Sequence, residues 1–110
     1  MSKQTASTTL DMEVMAQHAT EAADLLKSLA HPCRLLVMCR LFEGEASVSE
    51  LHALGALSMS ALSQHLAVMR EAGLVQTRRE AQTIFYSLAD GPALGVMRAL
   101  HDTYCSAAKK

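Results

Sequence analysis

The chain has 110 residues, a formal net charge of −1 and three cysteines. This length fits one domain, and this charge excludes a protein that grips nucleic acid through bulk positive charge. Few aromatics and no tryptophan argue against single-strand binding by base stacking. With no apolar run near ~20 residues and no signal peptide, we expect a cytoplasmic protein without membrane contact. There, three cysteines indicate free thiols, ligands or redox sensors.

The first part of the chain predicts a tail and two helices. Residues 1–10 are polar and aperiodic, which predicts a disordered tail before a folded domain over 11–108. A first helix is expected from about Asp11 to Ala30, because apolar and small residues recur there at spacings of three and four. Pro32 fits the first position of a second helix, which ends near Phe42. The repeating residues of the first helix are Met15, His18, Ala22, Leu25 and Leu29.

Two short helices and two strands are predicted next. Ser47 and Glu50 form an S-x-x-E capping box that starts the third helix, and a glycine ends it. Ser58 is a good N-cap for the fourth helix. Leu74–Thr77 and Thr83–Leu88 are rich in β-branched and aromatic residues and predict two strands.

This order of elements predicts a winged helix–turn–helix. The outer face of the fourth helix carries Ser60, Ser63 and Gln64, small polar residues that fit a DNA major groove. For that helix alone, a merely solvated face is the simpler explanation. The polar tip of the ribbon, Arg78–Gln82, shifts the balance towards DNA. The candidate local basic patch is Arg70, Arg78 and Arg79.

The last helix is predicted from Pro92 to about Ala107, again with apolar residues at spacings of three and four. The two terminal helices therefore carry apolar faces that a small monomer has little core to absorb. We expect a homodimer through the first and last helices, with recognition helices about 34 Å apart. The alternative is that both faces pack on the same monomer. The predicted fold is mainly α with a small β-hairpin wing, in the order α-α-α-α-β-β-α.

Taken together, the motifs resemble the ArsR/SmtB family of bacterial repressors. They are the HP-x-R sequence His31–Arg34, the stretch Ser47–Leu51, the segment Leu57–Val75 and the wing Arg79–Tyr86. The likeness runs from about residue 22 to residue 105. It implies a dimeric repressor that leaves a double-stranded operator, an imperfect palindrome, when an inducer binds. The DNA contacts expected on this resemblance are Ser58, Met59, Ser60, Ser63, Gln64, His65, Arg79 and Gln82.

The ligands of the family's metal sensors are missing. One type has C-x-C in the helix before the recognition helix, where this chain has Ser47–Leu51 without cysteine. Another type has spaced Asp and His residues on the last helix, where His101 and Asp102 are neighbours that face different directions. No metal or other cofactor is therefore expected.

Cys39 and Cys105 make the chain similar to the thiol-sensing branch typified by HlyU, BigR and SqrR. That branch senses reactive sulfur species or oxidants through two cysteines on the second and last helices. The resemblance implies that linking Cys39 to Cys105, by a disulfide or inserted sulfur atoms, releases the operator. Cys105 is expected to be accessible, with Lys109 and Lys110 nearby to favour its thiolate.

Cys33 is an addition to that pattern. It lies in the first turn of a helix beside Arg34, where the helix dipole favours a thiolate, and is a credible reactive thiol. It cannot bridge to Cys39 within one helix, because six residues span about 9 Å along the axis, beyond the ~7 Å Cα limit of a disulfide.

Two other functions stay open. A metal-responsive ArsR/SmtB-type repressor would use Cys33, Cys39, Cys105 and a histidine as ligands. A redox enzyme is disfavoured, because the chain has no C-x-x-C, no nucleophile with an evident His–Asp support and no glycine-rich phosphate loop.

Overall fold

The computed structural model describes the backbone of residues 2–55 and 57–105, and the side chains of residues 11–55 and 57–105. The winged helix–turn–helix is confirmed: the described chain is mostly helical and carries one small antiparallel sheet. No helix in these ranges is long and apolar enough to cross a membrane. The elements are α1 (Ser2–Leu29), α2 (Pro32–Phe42), β1 (Ala46–Ser47), α3 (Val48–His52), α4 (Met59–Glu71), β2 (Val75–Glu80), β3 (Thr83–Leu88), α5 (Ala93–Leu100) and a π-helical segment (His101–Cys105).

The first helix is longer than expected. Its backbone is helical from Ser2, where a tail had been predicted over residues 1–10. Neither proline nor glycine interrupts that stretch, so nothing in it stops a helix. The domain boundary near residue 10 stays a prediction. Within residues 11–29 of α1, the end of the helix joins the core: Met15 and His18 are exposed, whereas Leu29 is buried.

Local capping fixes the starts of the next three helices. His31 is the N-cap of α2, and its Nδ1 accepts the Cys33 N–H at 3.1 Å. The predicted capping box of α3 is present, since the Ser47 hydroxyl accepts the Glu50 N–H at 3.2 Å and the Glu50 carboxylate accepts the Ser47 N–H at 2.8 Å. Ser58 caps α4 through the N–H of Ala61. The short turn between α3 and α4 therefore has defined ends.

The wing differs from its prediction in two respects. Its strands pair from Val75↔Leu88 to Glu80↔Thr83, so only Ala81 and Gln82 form the turn. Arg78 and Arg79 thus lie within strand β2 and not in the tip. A third strand, β1, pairs antiparallel with β3 and gives the order β1-β3-β2. It was missed because two residues show no periodicity.

The core joins α2, α4 and α5. Met38, Leu66, Met69 and Met97 are fully buried where these helices meet. Burying side chains of this size stabilises the fold by about 1.5–3 kcal/mol each. α2 thus contacts both α4 and α5.

The last helix is less regular than predicted. α5 ends at Leu100, and the wider turns of a π-helix continue to Cys105. The predicted end at Ala107 lies outside the described residues. Such π segments are often found at functional sites.

Candidate DNA interface and thiol site

One face of α4 is free to contact a ligand. Ser60, Ser63 and Gln64 are exposed, while the opposite side of the helix is buried through Leu62 and Leu66. This is the outward arrangement that the sequence predicted. Ser58 and Met59 at the start of the helix are also exposed.

Two residues at the start of α2 position the side chain of His65. It is half-buried, and its Nδ1 accepts a hydrogen bond from Arg34 Nε at 3.0 Å. Its ring centroid lies 4.3 Å from that of His31. Burial, together with the charges of His31 and Arg34, lowers the pKa of His65. Because Nδ1 accepts, the neutral ring carries its proton on Nε2, which is the nitrogen left for a ligand. The predicted DNA contact of His65 stays a prediction.

Arg34 connects three helices. Besides its bond to His65 in α4, its Nη1 donates to the carbonyl oxygen of Ser28 in α1 at 3.0 Å. Arg34 itself belongs to α2, so one side chain joins the first helix, the second helix and the recognition helix. In the sequence, Arg34 stood out only as part of the HP-x-R motif and as a neighbour of Cys33. The HP-x-R motif was the available signal, although nothing local in it identifies partners so distant in the chain.

The wing offers one free arginine. Arg78 donates to both carboxylate oxygens of Glu45 at 2.8 and 2.9 Å and lies 4.6 Å over the ring of Phe85. Its hydrogen bond lowers the pKa of Glu45. Arg78 therefore links the wing to the loop before β1. Because Glu45 occupies its guanidinium, Arg78 contributes less to the predicted basic patch than was expected. Arg79 is exposed and forms no ion pair with the described residues.

Gln82 occupies the exposed turn at the tip of the wing, directly after Ala81, which has a φ of 56°. Arg70, the remaining member of the predicted patch, is exposed in the last turn of α4. The predicted DNA contacts on α4 and on the wing thus all have exposed or half-exposed side chains.

Cys33, whose helix position made it a credible reactive thiol, is buried. It is only 9% exposed and lines a small apolar pocket with Leu36, Leu51 and Leu62. The reason is that the first turn of α2 rests on α3 and α4, so the thiol faces inward. Buried cysteines in apolar surroundings are generally inert.

Cys39 and Cys105 are brought together across α2 and the π-helical segment. Both are free and half-buried. Burial raises the pKa of Cys39, and the neighbouring Cys105 thiol raises it further through charge repulsion and a hydrogen bond. Glu43 adds a smaller effect in the same direction. Lys109 and Lys110, expected to act on Cys105, lie outside the described residues.

A histidine and a carboxylate lie one turn away from the two thiols. His101 Nε2 is 3.9 Å from Glu43 Oε2, and the His101 ring lies 4.9 Å from that of Phe42. The His101 side chain is 13% exposed. Its Nε2 is buried and has no hydrogen-bond partner among the described residues.

A metal site with these residues is not supported. Within residues 11–55 and 57–105, no three His, Cys, Asp or Glu side chains converge in a way that could hold an ion. Cys33 points into the apolar pocket at the opposite end of α2 from Cys39, so the three cysteines do not form one ligand set.

Known proteins share both sequence and shape with this chain. The profile of the family described as "Bacterial regulatory protein, arsR family" matches residues 31–77. The Biofilm growth-associated repressor of Agrobacterium fabrum is 48% identical over 97 residues, covering 88% of this chain and 83% of that protein. The transcriptional repressor BigR from Xylella fastidiosa has a TM-score of 0.80 at 43% identity, covering 90% of this chain and 98% of that one. Reduced HlyU from Vibrio cholerae N16961 has a TM-score of 0.79 at 45% identity, covering 84% and 98%.

Proposed function

Since the chain belongs to the ArsR/SmtB family of DNA-binding transcriptional regulators, in the branch of HlyU and BigR, we propose that it is a homodimeric repressor controlled by its Cys39–Cys105 pair. Members of this family are regulators and not enzymes. The proposal concerns three finer points: the DNA contacts, the dimer and the inducer.

DNA binding is assigned to α4 and the wing. Ser60, Ser63 and Gln64 reach base edges in the major groove, where amide and hydroxyl groups distinguish bases. Arg79 and Gln82 contact the backbone beside it and position the recognition helix. The support is the exposure of all five side chains on α4 and the adjacent wing.

The dimer is assigned to α1 and the last helix. Met12, Met15 and Leu26 of α1 and Tyr104 near the chain end are large side chains more than half exposed. A second copy would cover them and place two α4 helices one DNA turn apart, about 34 Å, which fits an imperfect palindrome. Sedimentation at operator-binding concentrations tests this: a dimer is expected, and a monomer with full operator affinity would refute it.

The switch is assigned to a covalent link between Cys39 and Cys105, formed by a reactive sulfur species or an oxidant. The single observation that carries this is the proximity of the two thiols. Cys39 and Arg34 belong to the same helix, and Arg34 is bonded to His65 of α4. A link that shifts α2 against the last helix would therefore shift the recognition helix. A difference of about 2.7 kcal/mol between the two dimer shapes gives a hundredfold change in affinity.

The test is operator affinity by fluorescence anisotropy, with and without cysteine hydropersulfide, and separately with peroxide. The parent protein should lose about a hundredfold in affinity. Cys39→Ser and Cys105→Ser should bind the operator when reduced and stay bound after treatment. Cys33→Ser is the matched control and should respond like the parent. Loss of the response in Cys33→Ser alone would make Cys33 the sensor.

The metal-responsive alternative predicts that zinc releases the operator, whereas the dithiol function predicts that it does not. Zinc at physiological levels should leave the operator bound, because the described residues offer no set of three ligands. Stoichiometric zinc in the purified protein, together with zinc-induced release that is abolished by the cysteine substitutions, would favour the alternative.

A further inference from the structure

The last helix and α2 face each other at two levels. At one level are the thiols of Cys39 and Cys105. At the other are Glu43 and His101, with 3.9 Å between Oε2 and Nε2. Both steps along the chain, from 39 to 43 and from 101 to 105, are four residues, or about one helical turn. The imidazole therefore lies one turn from the dithiol, on the same side of its helix as Cys105.

The buried nitrogen of His101 is an unusual feature. Leaving a buried polar atom without a hydrogen bond destabilises a fold. Its neighbour Glu43, at 3.9 Å, is too far for a hydrogen bond but near enough to stabilise a positive ring. The second His–Glu pair of the described chain is different, since His18 and Glu21 are exposed and hydrogen-bonded at 2.7 Å. A solvated surface pair of that kind does not explain His101.

The dithiol needs a proton acceptor. The thiolate is the nucleophile in sulfur chemistry, yet burial, Cys105 and Glu43 all raise the pKa of Cys39. The thiolate of Cys39 is consequently disfavoured. Thiol nucleophiles with an unfavourable pKa are commonly activated by an adjacent histidine, which a carboxylate in turn supports.

We propose that His101, with Glu43 opposite it, accepts the first proton that the Cys39–Cys105 pair loses and so sets the rate at which the pair reacts. This rests on the dithiol function proposed above. The charged group that faces His101 from α2 is Glu43; Arg98, Asp102 and Cys105 lie within four residues of it on its own helix, and Cys39 is one turn from Glu43 on α2.

The reaction with a hydropersulfide, RSSH, balances as follows. One thiol gives its proton to His101, and the thiolate attacks the terminal sulfur of RSSH. A cysteine hydropersulfide forms, and the RS⁻ that leaves takes the proton from His101 as RSH. The second thiol then gives its proton to the regenerated His101, and its thiolate attacks the cysteine-bound sulfur. The Cys39–Cys105 disulfide forms, and the expelled HS⁻ takes the proton from His101 as H₂S. Two thiols are oxidised, and one sulfane sulfur is reduced to H₂S.

The test is the rate of hydropersulfide reaction of the full chain between pH 5.5 and 9, followed by mass spectrometry. We expect His101→Gln to react about a hundredfold more slowly at pH 7, the size of a typical general-base contribution. The deficit of the variant should shrink as the pH rises, because hydroxide in the solvent then removes the thiol proton without a histidine. His52→Gln, an exposed histidine of α3, is the matched control and should follow the parent.

Glu43→Gln separates proton acceptance from simple electrostatics. Glu43 raises the pKa of Cys39, so without a histidine base its neutralisation would speed the reaction. If Glu43 supports a protonated His101, the same substitution slows it severalfold. Glu43 is exposed, which makes this variant a safeguard should His101→Gln fail to fold.

The outcomes distinguish this inference from the dithiol function. If the parent protein keeps its operator under hydropersulfide, the dithiol function fails. If the parent releases its operator but His101→Gln matches its rate and pH profile, or Glu43→Gln reacts faster than the parent, only the role of His101 is overturned.

Discussion

The two ends of α2 hold their reactive groups in opposite surroundings. At the first end Cys33 is buried, and Arg34 has hydrogen-bond partners in both α1 and α4. At the other end Cys39 is half-buried beside a second free thiol, close to an imidazole nitrogen that has no hydrogen-bond partner among the described residues. The Arg34 end, whose side chain has hydrogen-bond partners, is suited to hold the recognition helix. The Cys39 end, with its free thiols and this imidazole nitrogen, is suited to react. The buried middle of α2 connects them.

The largest effect should come from removing the Arg34 side chain, which links α2 to α1 and α4. Arg34→Ala deletes hydrogen bonds to His65 and Ser28, and we expect the free energy of unfolding to fall by about 2 kcal/mol. The affinity ratio between reduced and linked protein should also fall towards one. Arg40→Ala is the control, since Arg40 lies in α2 but its side chain makes a single, exposed hydrogen bond within the described residues, to the Gly44 carbonyl. Urea unfolding and operator titration measure both. An unchanged affinity ratio would show that Arg34 does not couple the two ends.

The wing offers a second comparison, between Arg79, which has no ion-pair partner among the described residues, and Arg78, which is paired with Glu45. The two arginines should differ in how much they contribute to DNA binding. Arg79→Ala should weaken binding to all DNA sequences and lower the slope of log affinity against log salt by about 1. Arg78→Ala should change that slope less, because its guanidinium is already occupied by Glu45. Binding isotherms at several salt concentrations are the measurement, and equal slopes for the two variants would contradict the assignment.

The helical propensity of the middle of α2 can be lowered by a substitution at an exposed position. Leu36 lies between the two ends and is partly exposed. Leu36→Gly should cost about 1 kcal/mol more than Leu36→Ala, because glycine disfavours a helix interior. If α2 moves as a rigid body, the glycine variant should also show the smaller loss of operator affinity on linking. Both quantities come from unfolding curves and operator titration, and identical switching in the two variants would argue against a rigid α2.

The smallest expected effect is the pH dependence of the free energy of unfolding that His65 causes near the Arg34 end of α2. The pKa of His65 is lowered in the fold, so the unfolded chain takes up a proton first as pH falls. Stability from this residue is complete above about pH 6.5 and is lost as pH falls through its lowered pKa. His65→Gln should therefore give a flatter stability profile between pH 7 and 5 in thermal unfolding. A parent profile as flat as the variant's would remove this contribution.

Much of the fold could be predicted because its decisive interactions are local. Pro32, the Ser47–Glu50 box and the Ser58 cap act over three residues or fewer, and each starts a helix where expected. The missed features depend on distant partners. Arg78 meets Glu45 across 33 positions and Arg34 meets His65 across 31. No periodicity in the sequence records such pairs.

The same distinction applies to the candidate site. The exposed face of α4 followed from helical spacing alone. The pairing of Cys39 with Cys105 came from the family resemblance, and its proximity requires the packing of the last helix on α2. The burial of Cys33 also depends on tertiary packing, and for that reason its position in the helix could not reveal it.

The central claim is that the reactive end of α2 is the sensor. Peptide mass mapping of hydropersulfide-treated protein, in parallel with operator affinity on the same samples, tests it most directly. The account predicts a Cys39–Cys105 link within one protomer that accumulates as affinity is lost, while Cys33 remains a free thiol. A Cys33–Cys105 link, or loss of the operator with both Cys39 and Cys105 still free, would contradict it.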